Sequence, residues 1–98
     1  MEIAIRPSAR AHLITDDEMR AVIAYPALRV GLRPRRANTA PVLFLGPAAD
    51  NEPWLEVIAD LNNPDIAEVF HAMMLRSSLI TSLGLAQLVD PEYGPQRA

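Results

Sequence analysis

The residues best suited to chemistry lie in the apolar segment from Ile66 to Arg76, which carries both His71 and Arg76. Imidazole titrates near neutral pH, so a histidine can take or give a proton as a general acid or base. Arginine keeps its charge, and its planar guanidinium matches the oxygens of a phosphate or a carboxylate. Each residue also has a structural explanation. His71 lies between Phe70 and Ala72 like a packed histidine, and Arg76 has many acids in the second half with which to pair.

The remaining candidates are basic residues in the first half of the chain. The first 49 residues contain seven arginines and four acids, a net charge of +3, whereas the last 49 contain two arginines and eight acids, a net charge of −6. Four arginines lie close together in the sequence, namely Arg29, Arg33, Arg35 and Arg36. They indicate either a solvated basic loop or a surface that binds phosphate or an acidic partner. The overall charge of −3 argues against a general nucleic-acid binder.

Composition limits the class of protein. The 98 residues are enough for one domain with a modest core, and the absence of cysteine excludes disulfides and thiolate sites. No apolar run approaches the ~20 residues of a membrane span and no signal peptide is recognised, so a cytoplasmic protein is predicted. All nine basic residues are arginines, which indicates a GC-rich coding bias at least as strongly as selection for bidentate recognition.

The best-defined predicted element is a helix that starts at a capping box. The hydroxyl of Thr15 can accept from the backbone N–H of Glu18, whose carboxylate reaches back to the N–H of Thr15. Apolar residues at helical spacing follow, and Pro26 ends the helix near Tyr25. The acids of its first turn suit the helix dipole, so they are explained as helix-start residues, and no metal or cofactor is predicted.

The other elements are predicted from composition and periodicity. They are a short helix at Ser8–Leu13, a half-exposed strand at Leu28–Leu32, buried strands at Val42–Leu45 and Trp54–Leu61, and a C-terminal helix at Ser77–Val89, with Met1–Arg6 as a short strand or an ordered lead-in. The segment from Ile66 is ambiguous. Helical periodicity slightly favours a helix, whereas in a strand Ala67, Val69, His71 and Met73 would share one face.

The order of these features resembles that of BrnT-like toxins, which belong to type II toxin–antitoxin systems and to the wider RelE-like group. Arg10-Ala-His12 ahead of the capped helix resembles the basic-x-His motif of the family's N-terminal segment. The segments 42–47, 54–59 and 69–76 resemble its strand meander, whose last strand is followed by an arginine. Phe70-His-Ala-Met-x-x-Arg76 is similar to small actinobacterial relatives of the group.

The resemblance favours a strand at Val69–Ala72 over a helix. The predicted fold class is therefore α+β, with two N-terminal helices packed on a small antiparallel sheet of three to four strands and a C-terminal helix. Residues 1–89 are predicted to form a single domain, and residues 90–98 a flexible C-terminal tail.

The resemblance implies a metal-independent ribonuclease that acts on mRNA and is neutralised by a cognate antitoxin. In that chemistry a base takes the ribose 2′-OH proton, the oxygen attacks phosphorus, an acid protonates the leaving 5′ oxygen, and cations stabilise the added charge. The predicted catalytic residues are His71, Arg76 and His12, and the predicted substrate-binding residues are Arg10, Arg29 and Arg33. We expect His71 and Arg76 to share a concave basic face with Arg10 or His12.

Two hypotheses from different classes follow. The first is a toxin, an active or degenerate ribonuclease whose apolar C-terminal segment pairs with the antitoxin. The second is a non-enzymatic interaction module that oligomerises through Leu79–Val89, since that segment needs a partner surface, a core of its own or a second copy. The predicted partners are thus an antitoxin, RNA or a second copy of the chain, and not a membrane.

Overall fold

The computed structural model describes residues 1–97, which fold around one five-stranded sheet. In chain order the elements are β1 (Glu2–Ile5), a 3-10 turn (Pro7–Arg10), α1 (Asp16–Ala24), β2 (Leu28–Gly31), β3 (Pro41–Pro47), β4 (Trp54–Asp60), β5 (Ile66–Met74) and α2 (Ser77–Ser82). The strands lie side by side in the order β1-β5-β4-β3-β2. Strands β2 to β5 pair antiparallel, whereas β1 runs parallel to β5.

The predicted architecture is wrong in its sheet. Instead of three to four antiparallel strands, the sheet has five, and it is mixed because β1 adds to the free edge of β5 with Glu2 opposite Ile66. Ile3 and Ile5 of β1 pack against the buried core, and this contact stabilises the pairing of the short N-terminal segment with β5.

The predicted architecture is also wrong in its helices. Of the two expected N-terminal helices only α1 forms, because the segment around Ser8 makes a single 3-10 turn before Leu13 takes a left-handed φ of 62°. The C-terminal helix stops at Ser82, since Gly84 takes a φ of +67°, the conformation that commonly follows a helix end.

The locally specified elements are confirmed. Thr15 Oγ1 accepts the N–H of Glu18 at 3.1 Å, and Glu18 Oε1 accepts the N–H of Thr15 at 3.0 Å, so the capping box starts α1. The strand interpretation of the segment from Ile66 is confirmed as β5, which extends to Met74.

One side of the sheet, called here the helix face, is covered by α1. Its core is formed by apolar side chains that alternate along the central strands, such as Phe44 of β3, Val57 of β4 and Val69 of β5. Met19 and Val22 of α1 close this core and are fully buried. At roughly 25 cal/mol per Å² of buried apolar area, this closed layer supplies most of the stability of the fold.

The other side, called here the groove face, is covered over only part of its area. Leu43 and Leu45 of β3 pack there with Ile80 and Leu85 of the C-terminal segment. Residues 90–97 then pass to the helix face, where Arg97 donates to Glu18 of α1 at 2.6 Å. Within residues 1–97, neither helix has the length and apolar character needed to cross a membrane.

Candidate functional site: an arginine-lined groove above a buried glutamate

A β-bulge in β5 brings His71 to the groove face. The pairing with β4 shifts by one residue between Ile58, opposite His71, and Ala59, opposite Val69, so Phe70 is the extra residue. Because side chains alternate along a strand, the extra residue moves His71 to the side of the sheet opposite Val69. The expectation that Val69 and His71 share one face is therefore wrong.

Glu56 of β4 lies on the same face and is the one buried charged residue among those described. Its Oε1 accepts the backbone N–H and the Nε–H of Arg76, both at 3.0 Å. Its Oε2 lies 2.7 Å from Nη2 of Arg76 and 2.8 Å from Nε2 of His71. These four contacts provide the carboxylate oxygens with hydrogen-bond donors, which offset the free energy lost when the charge is buried.

The contacts of Glu56 keep its carboxyl ionised. Burial acts to raise the pKa of Glu56, but the hydrogen bonds from His71 and Arg76 outweigh it, and the pKa lies below its ordinary value. The same carboxylate raises the pKa of the Arg76 guanidinium. Arg76 therefore stays charged while it is held in one orientation.

The ionised Glu56 also fixes the protonation of one nitrogen of His71. A carboxylate only accepts hydrogen bonds, so Nε2 of His71 carries the proton and donates to Oε2. In the neutral ring Nδ1 is then the basic nitrogen. The side chain of His71 is 25% exposed and lines the groove, so this ring can reach a bound molecule. A histidine oriented by a carboxylate is the arrangement that general acid–base catalysis uses.

His12 completes a pair of imidazoles. The chain between β1 and α1 lies along β5, where the hydroxyl of Ser8 donates to the carbonyl of Phe70 at 2.8 Å. This contact places the ring of His12 edge-on to that of His71, with 6.2 Å between the ring centroids. His12 is thus next to the groove, although it is not among the residues that line it.

The groove itself has a volume of about 660 Å³ and a strongly cationic lining. Five arginines line it. Arg6 follows β1, Arg76 lies two residues after the end of β5, and the other three lie in the β2–β3 loop, namely Arg33, Arg35 and Arg36. Asp60 is the one acid in the lining formed by residues 1–97. Low-dielectric walls that carry one sign of charge concentrate the field, so this groove attracts anions although the chain is acidic overall.

The arginines of the groove differ in how they are paired. Arg6 forms an ion pair with Glu68, and Arg76 is held by Glu56. The ion pairs found between residues 1–97 include none of the three loop arginines, Arg33, Arg35 and Arg36. Asp60 is occupied, because its Oδ1 accepts the backbone N–H groups of Ala40 and Asn62. The loop arginines are therefore available to a ligand.

The structure brings together only some of the predicted site residues. His71, Arg76 and Arg33 line the groove, and His12 contacts His71. Arg10 instead pairs with Asp16 through two hydrogen bonds, at 3.0 and 2.9 Å. Arg29 lies on the helix face, with its guanidinium carbon 5.3 Å from the ring centre of Phe44. Neither is among the residues that line the groove.

Sequence reasoning did not single out three residues of this site: Glu56, Arg6 and Phe70. The available signal for Glu56 is that it is the one acid within the apolar run Trp54–Ile58. An acid in an alternating strand ordinarily faces solvent, so burial could not be inferred from that signal. Within the described part of the chain, no group of three side chains is placed to hold a metal ion.

Comparison with known proteins finds no matching family model, no matching curated protein and no matching solved structure.

Proposed function

We propose that this protein is the toxin of a type II toxin–antitoxin system and a metal-independent ribonuclease that cleaves RNA in the arginine-lined groove. The observation that carries the proposal is the position of His71, held by the buried Glu56 at the wall of a groove that five arginines line. The resemblance of the Arg10–His12 segment and of the strand order to BrnT-like toxins supports the same assignment. The protein would act in the cytoplasm.

The cationic lining supports binding to the phosphate backbone. Each phosphate that an arginine neutralises releases condensed counterions, which favours association at low salt. The three loop arginines line the groove together with Arg6 and Arg76, so a strand of RNA bound there would meet several cations. The net charge of −3 is a weak objection, because the local field at the groove decides where an anion binds.

The imidazole pair supports the cleavage step. His71 would take the proton of the ribose 2′-OH through Nδ1, and the 2′ oxygen would attack the adjacent phosphorus. The bond from phosphorus to the 5′ oxygen would break, leaving a 2′,3′-cyclic phosphate, and His12 is the candidate to protonate the leaving oxygen. Arg76 would stabilise the added negative charge with the N–H groups that Glu56 leaves free.

The alternative of an interaction module that oligomerises through Leu79–Val89 is not favoured by a specific observation. That segment packs on its own sheet, where Ile80 is 4% and Leu85 is 5% exposed. Leu83 is 37% and Leu88 is 67% exposed, but separate exposed leucines are common on protein surfaces. The antitoxin and a second copy of the chain stay predictions as partners.

The proposal is tested by inducing expression of the protein alone in bacteria and following growth. We expect arrest by the wild type and relief by His71→Ala and by Arg76→Ala. The matched control is Arg20→Ala, since Arg20 lies on α1 and has only a loose pair with exposed Asp17 at 3.6 Å. Arrest that neither groove variant relieves would discard the site, and no arrest by folded wild type would contradict the toxin proposal.

A further inference from the structure

The bulge in β5 gives the groove an aromatic residue beside His71. Phe70 has no partner in β4, yet its carbonyl is fixed by the hydroxyl of Ser8 at 2.8 Å. Its side chain is only partly buried and lines the groove together with His71. Two consecutive residues of one strand thus reach the same groove, which a regular strand would not allow.

An aromatic ring is not needed for binding phosphates. The arginines supply that contact, and a solvated cationic groove would ordinarily be lined by polar residues. Here the lining also includes the apolar side chains of Phe70 and Ile58. An apolar surface between cationic walls fits a ligand that combines negative charge with a flat, apolar body. A nucleotide has both, and aromatic side chains commonly stack on unpaired bases.

We propose that Phe70 is a stacking platform for an unpaired nucleobase next to the scissile phosphate, which makes the groove selective for single-stranded RNA. This inference rests on the proposed function and names its substrate class. In a duplex both faces of each base are covered by neighbouring bases, so the platform has no surface to contact. A flipped-out or unpaired base presents a free face to the ring of Phe70.

The experiment measures binding of short uncleavable oligonucleotides, made as 2′-O-methyl RNA so that the 2′ nucleophile is blocked. Fluorescence anisotropy compares a single strand, the same sequence as a duplex, and an abasic strand of equal length and charge. We expect the wild type to bind the base-bearing single strand about ten-fold more tightly than the abasic strand, the effect of one stacked base.

The variants separate stacking from charge. Phe70→Leu keeps an apolar side chain but lacks the flat ring. This variant should bind the base-bearing single strand no more tightly than the abasic strand. Its affinity for the abasic strand should equal that of the wild type. Phe70→Trp keeps a flat ring and should retain the preference. If Phe70→Leu does not fold, Phe70→Met, which is also apolar and lacks a flat ring, takes its place with the same expected loss of the preference.

The outcomes distinguish the inference from the proposed function. Equal binding of base-bearing and abasic strands by the wild type, or an unchanged ratio in Phe70→Leu, would overturn the stacking role and leave the ribonuclease proposal standing. Failure of the wild type to bind any of these probes, or tighter binding of an acidic polypeptide such as polyglutamate, would overturn both.

Discussion

The two faces of the sheet use the same strands for different purposes. On the helix face, α1 covers side chains such as Phe44 and Val57, and the core is closed and apolar. On the groove face, the C-terminal segment packs on a smaller apolar cluster around Leu43 and Leu45, and the rest of the face carries a buried carboxylate beneath an open cationic groove. The closed helix face stabilises the fold, and the groove face can therefore hold charges that are costly to bury.

The largest expected effect is on the helix face. Phe44 is 1% exposed in its core, and Phe44→Ala should lower the free energy of unfolding by about 3 to 5 kcal/mol through lost burial and a cavity. Urea denaturation measures the loss. RNA affinity of the fraction that stays folded should be unchanged, so a direct loss of affinity would show that the two faces are not separate.

The second effect concerns the segment that joins the two faces. The hydrogen bonds from Arg97 to Glu18 are the main cause that lowers the pKa of Glu18 to about 2, and its capping contacts with Thr15 add to them. A carboxyl with a depressed pKa stabilises the folded state above its unfolded pKa of 4.5, and the stabilisation is lost as the pH falls toward 2. Solvent screens this partly exposed pair, so the contribution stays below the about 3 kcal/mol that the full shift would represent.

Arg97→Ala should therefore destabilise the protein at neutral pH and flatten this pH dependence between about 4.5 and 2. Urea denaturation over that range gives the difference between variant and wild type. Arg20→Ala is the control, because its pair with Asp17 is 3.6 Å long and Asp17 is 99% exposed. Equal pH dependence in wild type and Arg97→Ala would contradict the account.

The third effect tests the buried carboxylate of the groove face. Glu56→Gln keeps the size of the side chain but removes its charge, and the amide places a donor against the donors of His71 and Arg76. The free energy of unfolding should fall by about 1 to 3 kcal/mol. RNA cleavage should fall by at least about ten-fold.

A merely structural Glu56 would give a different pattern. The stability would fall, but the cleavage rate per folded molecule would match the wild type. Glu56→Asp, which keeps the charge on a shorter side chain, should restore part of the cleavage rate.

The smallest effect is expected from a single loop arginine. Arg35→Ala removes one cation of the groove without touching a buried contact, so stability should stay within about 0.5 kcal/mol. RNA affinity should fall a few-fold for all sequences, and the slope of log affinity against log salt should fall by about 1. Arg20→Ala, on α1, should change neither quantity, and an equal effect of both variants would contradict a localised groove.

The elements that could be predicted are those specified by neighbouring residues. Thr15 and Glu18 define the start of α1 within four positions, and Pro26 limits its length. The alternating and apolar runs of β2 to β4 likewise define strands without reference to the rest of the chain. The candidates His71 and Arg76 also followed from residue type, and the structure places both at the groove.

The features that could not be predicted depend on pairing between distant residues. The parallel pairing of β1 with β5 joins residues more than sixty positions apart, as with Ile5 and Val69. The bulge at Phe70 exists only relative to the register of β4, and it decides the side of the sheet on which His71 lies. The burial of Glu56 follows from that geometry, since its partners come from another strand and from beyond its end.

Cleavage of end-labelled single-stranded RNA by purified protein in the presence of EDTA would show directly whether the groove is a metal-independent ribonuclease site. We expect cleavage by the wild type, products that end in a 2′,3′-cyclic phosphate, and a loss of activity of about a hundred-fold or more in His71→Ala. Circular dichroism on the same samples confirms that each protein is folded. Absence of cleavage by folded wild type, or equal cleavage by His71→Ala, would contradict the account.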